Sequence, residues 1–382
     1  MNHARFLPLC SAWYVAIHVP RIPKDNQPMR VLFVTGRETD YPRNDVLLRA
    51  FRRIGEVEVI GEQGGGSIVR RSLRFSLRLL PHLLNPRHNL LFIGFYGHFL
   101  MLPAGLLSRQ PLLFDAFVST YDTLCFDRRR FTPRSAAGRL AFWLDRTVCR
   151  LADRVLLDTP QHVRYFADTF ALPPDRFAVL PVGCNEDLFR PAPLPPPGAT
   201  TRVLYYSSYL PLHGVETVVR AAARLTAHPL HFRLIGKGQA YNQVRQLANT
   251  LGLQNVTFVP PVPLTQLPAE IAAAGICLGG HFGNTPKAGR VVPGKIYQIL
   301  AMARPLVAAD TPANRELLSP GETAFLCPPN DPDALAEAIL HLHHDSALRH
   351  RLAKGGRALF QAECSETVIT ARLRDIVREI AG

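Results

Sequence analysis

Short apolar runs alternate with helix-period segments along most of the chain. Residues 203–325 show this most clearly, because four successive blocks open with an apolar run, break at glycine or small residues and continue as a helix. Repeated strand–turn–helix units predict a parallel sheet with helices on both faces. Ligands of such sheets bind beyond the carboxyl ends of the strands, where helix N-termini present free N–H groups to anions. The pattern therefore predicts a site for a phosphate-bearing ligand in the second half of the chain.

The first half shows the same alternation and predicts a further α/β domain. Its apolar runs predict strands at residues 31–35, 57–60, 90–94, 112–115, 154–157 and 177–180. Its helix-period segments lie near residues 44–54, 68–84, 99–107, 136–151 and 162–170, with a glycine break at 64–66.

A proline-rich segment separates the two halves. Residues 190–201 read RPAPLPPPGATT, which cannot join the interior of a sheet and indicates a linker. We expect a first domain at residues 29–190, a linker at 191–201 and a second domain at 202–363. The final residues, 364–382, contain a predicted amphipathic helix that could cross back to the first domain.

Residues 1–28 precede the first predicted strand and are irregular and interrupted by prolines. Met29 runs directly into that strand, so we expect either that Met29 is the natural start or that residues 1–28 are a loose extension. The apolar stretch at residues 6–19 lacks a clean small-residue cleavage site and is a poor signal peptide.

Composition supports a globular protein of two domains. The chain has 382 residues, which exceeds one ordinary core. No apolar run reaches the roughly 20 residues of a transmembrane helix. Seven cysteines are scattered without CxxC or metal-like spacing, which is typical of reduced, buried thiols. We therefore expect a cytoplasmic protein, with peripheral attachment to the inner face of the plasma membrane as a further hypothesis.

The net charge of +14 indicates an acidic partner: anionic lipid, nucleic acid or a phosphorylated substrate. Arg70, Arg71, Arg74 and Arg78 interleave with apolar residues in one predicted helix, a pattern that suits docking on anionic lipid. The alternative is a helix packed on the core with a solvated arginine face. No nucleic-acid recognition motif accompanies the charge, so we do not expect a nucleic-acid partner.

Four motifs carry a resemblance to a known family. In chain order they are VLPVGCNEDLF, YLPLHGVETVVRAA, RLIGKGQ and PGKIYQILAMARPLVA. Together they resemble the retaining, nucleotide-sugar-dependent glycosyltransferases of family 4, also called group 1. The resemblance spans residues 29–382 and is strong in the second domain and general in the first. It implies the GT-B fold, in which two Rossmann-like parallel-sheet domains face a central cleft, with the acceptor on the first domain and the donor on the second.

The resemblance also implies a donor site in the second domain. The expected donor-binding residues are Ser207, His213, Gly214, Gly236, Lys237, Gly238, Phe282, Gly283, Lys287, Arg290, Lys295, Gln298 and Glu316. This chain departs from the family at several of them. His213 replaces a lysine that contacts the donor diphosphate, and Ser207 stands where an arginine is frequent. The family's two glutamates, seven residues apart, fall on Arg290 and Gln298.

These departures suggest that the diphosphate clamp has moved to another loop. On this hypothesis Lys287, Arg290 and Lys295 carry the diphosphate charge, while Gln298 can still hydrogen-bond a ribose hydroxyl. Sugar transfer builds negative charge on the departing diphosphate, where fixed cations and N–H groups stabilise it most. The sequence has no convincing DxD pair at a strand end, so we expect a metal-independent reaction without a cofactor. The donor would be a UDP- or GDP-linked sugar.

The acceptor side offers weaker candidates. His98 and Asp115 follow predicted strand ends in the first domain, and either could position or deprotonate an acceptor hydroxyl. The sequence thus predicts transfer of a sugar to a glycan or lipid-linked acceptor in cell-surface polysaccharide or glycolipid synthesis. A non-catalytic sugar-nucleotide-binding protein and a GT-B-like nucleotide-sugar epimerase are the alternatives.

Overall fold

The computed structural model describes residues 29–62, 68–196 and 199–381. The predictions for residues 1–28 and for the glycine break at 64–66 lie outside the described residues. Strands in the described part are β1 (Arg30–Thr35), β2 (Glu56–Ile60), β3 (Leu90–Gly94), β4 (Leu112–Asp115), β5 (Arg154–Leu157), β6 (Phe177–Val179), β7 (Thr201–Ser207), β8 (Leu230–Gly236), β9 (Val256–Val259), β10 (Ile276–Gly280), β11 (Leu306–Ala309) and β12 (Phe325–Cys327).

Helices cover both sheets, as the sequence pattern predicts. They are α1 (Pro42–Ile54), α2 (Ile68–Leu84), α3 (His98–Leu107), α4 (Thr120–Asp122), α5 (Ala136–Leu151), α6 (Pro160–Phe170), α7 (Val215–Arg224), α8 (Tyr241–Thr250), α9 (Leu267–Ala272), α10 (Gly294–Ala301), α11 (Pro312–Leu317), α12 (Pro332–His344), α13 (Ser346–Leu359) and α14 (Glu366–Ala381). Short 3-10 turns lie at Pro174–Arg176, Pro211–His213 and Pro286–Gly289, and π-helical turns lie at Thr123–Asp127 and Phe360–Cys364.

The strands form two six-stranded parallel sheets. The first has the order β2-β1-β3-β4-β5-β6, and the second has the order β12-β11-β10-β7-β8-β9. Two such sheets, each with helices on both faces, confirm the predicted α/β fold class. Helices α1 and α6 begin two residues earlier than predicted, at Pro42 and Pro160, because proline is favourable in the first helical turn, where its missing N–H has no partner to lose.

The inner strands of the first sheet, β1, β3, β4 and β5, bury both of their faces. Leu32 and Val34 of β1 pack with α2, α3 and α5, whereas Val31 and Phe33 pack with α1 and α14. Successive side chains of a strand point to opposite faces, so a strand covered on both sides must be apolar throughout. This explains the continuous apolar runs in the sequence.

The second sheet is built in the same way. Val203 and Tyr205 of β7 pack with α7, α8 and α12, and Leu204 packs on the opposite face with α9 and α10. Val182 and Phe189, which precede the proline-rich segment, belong to this second core.

The terminal helix α14 lies on the first domain. Ile369, Leu373 and Val377 recur every four residues and pack with Val31 and Phe33 of β1. The spacing places these side chains on one face of the helix. The chain therefore runs from the first domain to the second and returns to the first.

Candidate active site

The carboxyl ends of β7 and β8 are pressed together at two glycines. In the parallel register Ser207 lies opposite Gly236. A Cβ on Gly236 would lie 1.8 Å from the Ser207 carbonyl oxygen, and a Cβ on Gly238 would lie 1.8 Å from the Ser208 carbonyl oxygen. A side chain fits at neither glycine, so the main chain of this turn stays bare at the sheet edge, where a ligand can approach it. Lys237 is exposed between the two glycines.

The turn after β7 packs directly on the loop after β10. Gly214 has a φ of +61°, and a Cβ there would lie 2.2 Å from the carbonyl carbon of Phe282. This close approach brings the rings of His213 and His281 together in a stack, with centroids 5.3 Å apart and planes inclined by 21°. The sequence motif singled out His213, but it gave no signal for His281.

Both stacked histidines are held neutral. The pKa of each lies well below the usual value, chiefly because burial disfavours a charged ring. Repulsion by Lys295 and Lys287 lowers both further, and for His281 the His213 ring adds to it. Nδ1 of His213 accepts a hydrogen bond from the Leu210 N–H at 3.2 Å, which agrees with a neutral ring. A neutral imidazole can still donate one hydrogen bond to an anion.

Two buried lysines complete what we call the basic set: His213, His281, Lys287 and Lys295. The Lys295 side chain lies with Nζ 4.6 Å from the centre of the Tyr205 ring, and burial lowers its pKa to about 7. Burial also lowers the pKa of Lys287, although Asp127 and Asp122 oppose that change. A buried ammonium group that has lost its hydration is strongly stabilised when an anion binds beside it.

Gln298 lies beside the basic set on α10. It is buried, and its Oε1 accepts a hydrogen bond from the Tyr206 hydroxyl at 2.8 Å. With the amide oxygen held in this way, the amide NH2 is the group that can donate to a ligand hydroxyl.

Arg290 faces the first domain. Its Nη2 lies 2.6 Å from Oδ1 of Asp122, and its guanidinium stacks on the ring of Tyr165 at 3.9 Å. Its backbone carbonyl accepts a hydrogen bond from Thr159 Oγ1 at 2.5 Å. The charge expected to reach a diphosphate is thus paired with a carboxylate of the first domain. No sequence pattern singles out Tyr165 or Thr159.

Lys287 and Glu316 also reach across the domains. Lys287 Nζ donates to Thr123 Oγ1 at 3.1 Å and lies 4.0 Å from Asp127 Oδ2. Glu316 Oε1 pairs with Arg164 at 2.6 Å, and its Oε2 accepts from the Gln161 N–H at 3.2 Å. Three residues expected at the donor site therefore contact the first domain in this structure.

The structure corrects the prediction that Asp115 could position or deprotonate an acceptor hydroxyl. The carboxylate is fully buried and pairs with the equally buried Arg43, with Nη2 3.0 Å from Oδ1. Arg43 Nη1 also donates to the carbonyls of Leu180 and Pro181 at 2.8 and 2.9 Å. A carboxylate enclosed in this way cannot contact an acceptor hydroxyl, so Asp115 ties β4 to α1 and to the end of the first domain.

His98 is also buried. Its Nε2 lies 3.5 Å from Oδ1 of Asp145, its ring meets Phe114 edge to face, and burial lowers its pKa. Asp145 in turn accepts hydrogen bonds from Ser119 Oγ at 2.6 Å and from the Tyr121 N–H at 2.9 Å. His98 thus supports the segment that carries Asp122, and the structure does not bring it together with Asp115.

The arginines of α2 divide into two groups. Arg71 is buried, with Nη1 3.3 Å from Glu38, so the prediction that it faces a membrane is wrong. Arg70, Arg74 and Arg78 are exposed, and Arg74 pairs with Glu62. Among residues 29–62, 68–196 and 199–381, no helix has the length and apolar character needed to cross a bilayer.

A cavity of about 790 Å³ opens beside the turn after β7. Gly214 and Gly283 line it, together with polar residues at the starts of α7, α8 and α12, whereas the lysines of the basic set do not. Because a diphosphate needs cations more than volume, we place its candidate site at the basic set.

Among the described residues, the side chains of Glu58, His82 and His88 lie close enough together to hold a metal ion. This group lies at the β2 edge of the first domain.

Comparison with known proteins identifies the second domain. The family model described as glycosyl transferases group 1 matches residues 200–345. A D-inositol 3-phosphate glycosyltransferase from Acidothermus cellulolyticus is 30% identical over 232 residues, which cover 55% of this chain and 50% of that protein. An alpha-D-kanosaminyltransferase from Streptomyces kanamyceticus is 27% identical over 277 residues, which cover 69% of this chain and 68% of that protein. The matched region thus spans between half and about two thirds of these relatives.

Solved structures extend the likeness to both domains. HepE from Anabaena, in complex with UDP and glucose, matches with a TM-score of 0.70 at 16% identity, covering 92% of this chain and 100% of that one. At this identity the match establishes the fold. The second domain is therefore similar to the group 1 glycosyltransferases over residues 200–345, and the chain has the two-domain GT-B fold.

Proposed function

We propose that the protein transfers a sugar from a nucleoside-diphosphate sugar to an acceptor hydroxyl, with the donor on the second domain and the acceptor on the first. The observation that carries this proposal is the basic set at the carboxyl edge of the second sheet. Two buried lysines and two neutral histidines lie at the sheet edge that also carries the bare glycine turn, and nearby Asp127 offsets only part of the lysine charge. A diphosphate supplies the missing negative charge.

The chemistry follows from where the charge develops. As the bond to the sugar breaks, negative charge grows on the departing diphosphate. Lys295 and Lys287 would stabilise that charge, and the ring N–H groups of His213 and His281 would donate hydrogen bonds to the phosphate oxygens. These cations can take the place of a divalent ion, so we propose a metal-independent reaction. Gln298 would hold a hydroxyl of the ribose or the sugar.

Two features of the reaction rest on relatives. HepE, which shares the fold, was solved with UDP and glucose, which supports a UDP-linked donor. Retention of configuration at the sugar carbon is typical of the family, and we extend it to this chain. The acceptor would be a glycan or a lipid-linked glycan, as in polysaccharide or glycolipid synthesis.

A lipid-linked acceptor would suit an exposed apolar face on the first domain. Helices α2, α3 and α5 pack side by side, and each exposes large apolar side chains. We call these residues the leucine face: Leu73, Leu77, Leu84, Leu106, Leu140 and Trp143. Exposed arginines of α2 lie among them, and a surface that is both apolar and basic favours anionic lipid over water or neutral lipid. We therefore propose that the leucine face docks on an anionic membrane.

A thermal-shift panel tests the donor proposal. UDP, GDP, ADP and CMP would each be added with and without magnesium. We expect one diphosphate to raise the melting temperature, with the same shift in EDTA, because fixed lysines bind the phosphates. Lys295→Met should lose the shift, and Lys354→Met, the same change at an exposed lysine of α13, should keep it. No shift with any nucleotide would favour a non-catalytic member of the family.

A further inference from the structure

The loop that precedes α10 is fastened to the first domain at two points. This donor loop, residues 285–293, carries Lys287 and Arg290 and leads directly to Lys295 on α10. Arg290 makes an ion pair with Asp122, and Lys287 donates to Thr123 and faces Asp127. All three partners come from one short segment of the first domain, α4 and the π-helical turn that follows it.

Hydrogen bonds within the first domain hold Asp122 in place independently of Arg290. Its backbone N–H donates to Ser119 Oγ at 2.9 Å, and Ser119 Oγ donates to the buried Asp145 at 2.6 Å. The Asp122 side chain is only 2% exposed, against 19% for Arg290. A carboxylate so far removed from water is unfavourable without a cation. Asp122 is therefore the fixed partner, on which the donor loop docks.

Two further residues of the first domain hold Arg290 in this contact. Tyr165 covers one face of its guanidinium, and Thr159 holds its backbone carbonyl. Asp122, Tyr165 and Thr159 all belong to the first domain, so separation of the domains would break these contacts together. A direct bond from Arg290 to a diphosphate would require it to leave Asp122 without a partner.

We propose that Asp122 is the positioning residue of the donor loop. Its pair with Arg290 draws the second domain onto the first and sets the loop, which carries Lys287 and leads to Lys295, the two lysines that bind the donor diphosphate. The proposal rests on the proposed function for the identity of the ligand. Arg290 then acts through Asp122 and does not itself bind the diphosphate. The closed arrangement has the higher affinity for the nucleotide, because it is the one in which the donor loop is held.

Three variants test this assignment: Asp122→Asn, Arg290→Gln and the double variant. UDP and GDP affinities would be measured by calorimetry, and domain closure by the radius of gyration from small-angle X-ray scattering. If the pair acts as a unit, each single variant weakens nucleotide binding at least fivefold and expands the protein. The double variant is then no worse than either single variant, since non-additivity is the mark of a direct interaction. Asp333→Asn, which removes an exposed ion pair within the second domain, should change neither quantity.

Direct binding of the diphosphate by Arg290 predicts a different result for the same variants. If Arg290 binds the diphosphate directly, Arg290→Gln weakens binding, whereas Asp122→Asn leaves it unchanged or tightens it because a competitor is lost. That outcome overturns the proposal, as does an unchanged radius of gyration in both single variants. Failure of the proposed function looks different, because the wild type would then bind neither nucleotide while the scattering still reports whether the pair closes the domains.

Discussion

The pKa of one buried lysine gives the site a property that can be measured directly. Lys295 has a pKa of about 7, because burial removes water from its ammonium group. At pH 8 the free protein therefore holds this amine largely unprotonated. A diphosphate favours the protonated form, so its binding raises the pKa and draws a proton from the solvent. We predict net proton uptake at pH 8 when UDP or GDP binds, and an affinity that falls as pH rises above 7.

Calorimetry in two buffers of different ionisation enthalpy measures that uptake. Lys295→Arg should bind the nucleotide without the Lys295 proton, since an arginine is always charged. Lys354→Arg should behave as the wild type. Equal proton uptake in wild type and Lys295→Arg would show that Lys295 is not the group that titrates.

Residue roles were the hardest to predict from the sequence. Asp115 follows a strand end, as a catalytic carboxylate often does, yet Arg43 encloses it in the core. The partner is 72 positions away in the chain, so no local pattern reveals the pair. His281 was missed for the same reason, because its place beside His213 depends on two loops that meet in space. The lysines, by contrast, stand out in a chain that otherwise uses arginine.

At the scale of elements, α2 combines a buried stripe with an exposed one. Phe75, Leu79 and Leu83 face the core, whereas Leu73 and Leu77 are each 66% exposed. The sequence indicated a basic-apolar helix and left open whether it packs on the core or faces lipid. The structure shows a core-facing stripe and an exposed apolar stripe on the same helix. Adjacent helices α3 and α5 widen the exposed face, and no sequence pattern indicates this.

Vesicle co-sedimentation tests the leucine face. We predict binding to vesicles that contain phosphatidylglycerol and little binding to pure phosphatidylcholine, because each arginine near an anionic surface contributes about 1 kcal/mol. Replacing Leu73 and Leu77 together by serine should weaken binding at least tenfold. Leu251→Ser, an exposed leucine of the second domain, is the matched control. Equal binding by all three proteins, or no preference for anionic vesicles, would contradict the assignment.

For the whole molecule, the order of motifs was enough to predict the architecture. Repeated strand–turn–helix units and a proline-rich separator gave two parallel sheets, and both are present. The contacts between the domains could not be predicted in the same way. Asp122 and Arg290 are 168 residues apart, and their pairing depends on how two independently folded sheets face each other. Sequence patterns report local structure and burial, and they carry little information on an interface between two domains.

The proposed function depends on binding of a nucleoside diphosphate by the basic set. The most direct test is a calorimetric titration of UDP and GDP into wild type, Lys295→Met and Lys354→Met. We predict one-to-one binding of one nucleotide to the wild type and to Lys354→Met, and at least tenfold weaker binding to Lys295→Met, because a charge-assisted hydrogen bond contributes about 1.5–3 kcal/mol. Wild-type protein that binds neither nucleotide, or Lys295→Met that binds as tightly as wild type, would contradict it.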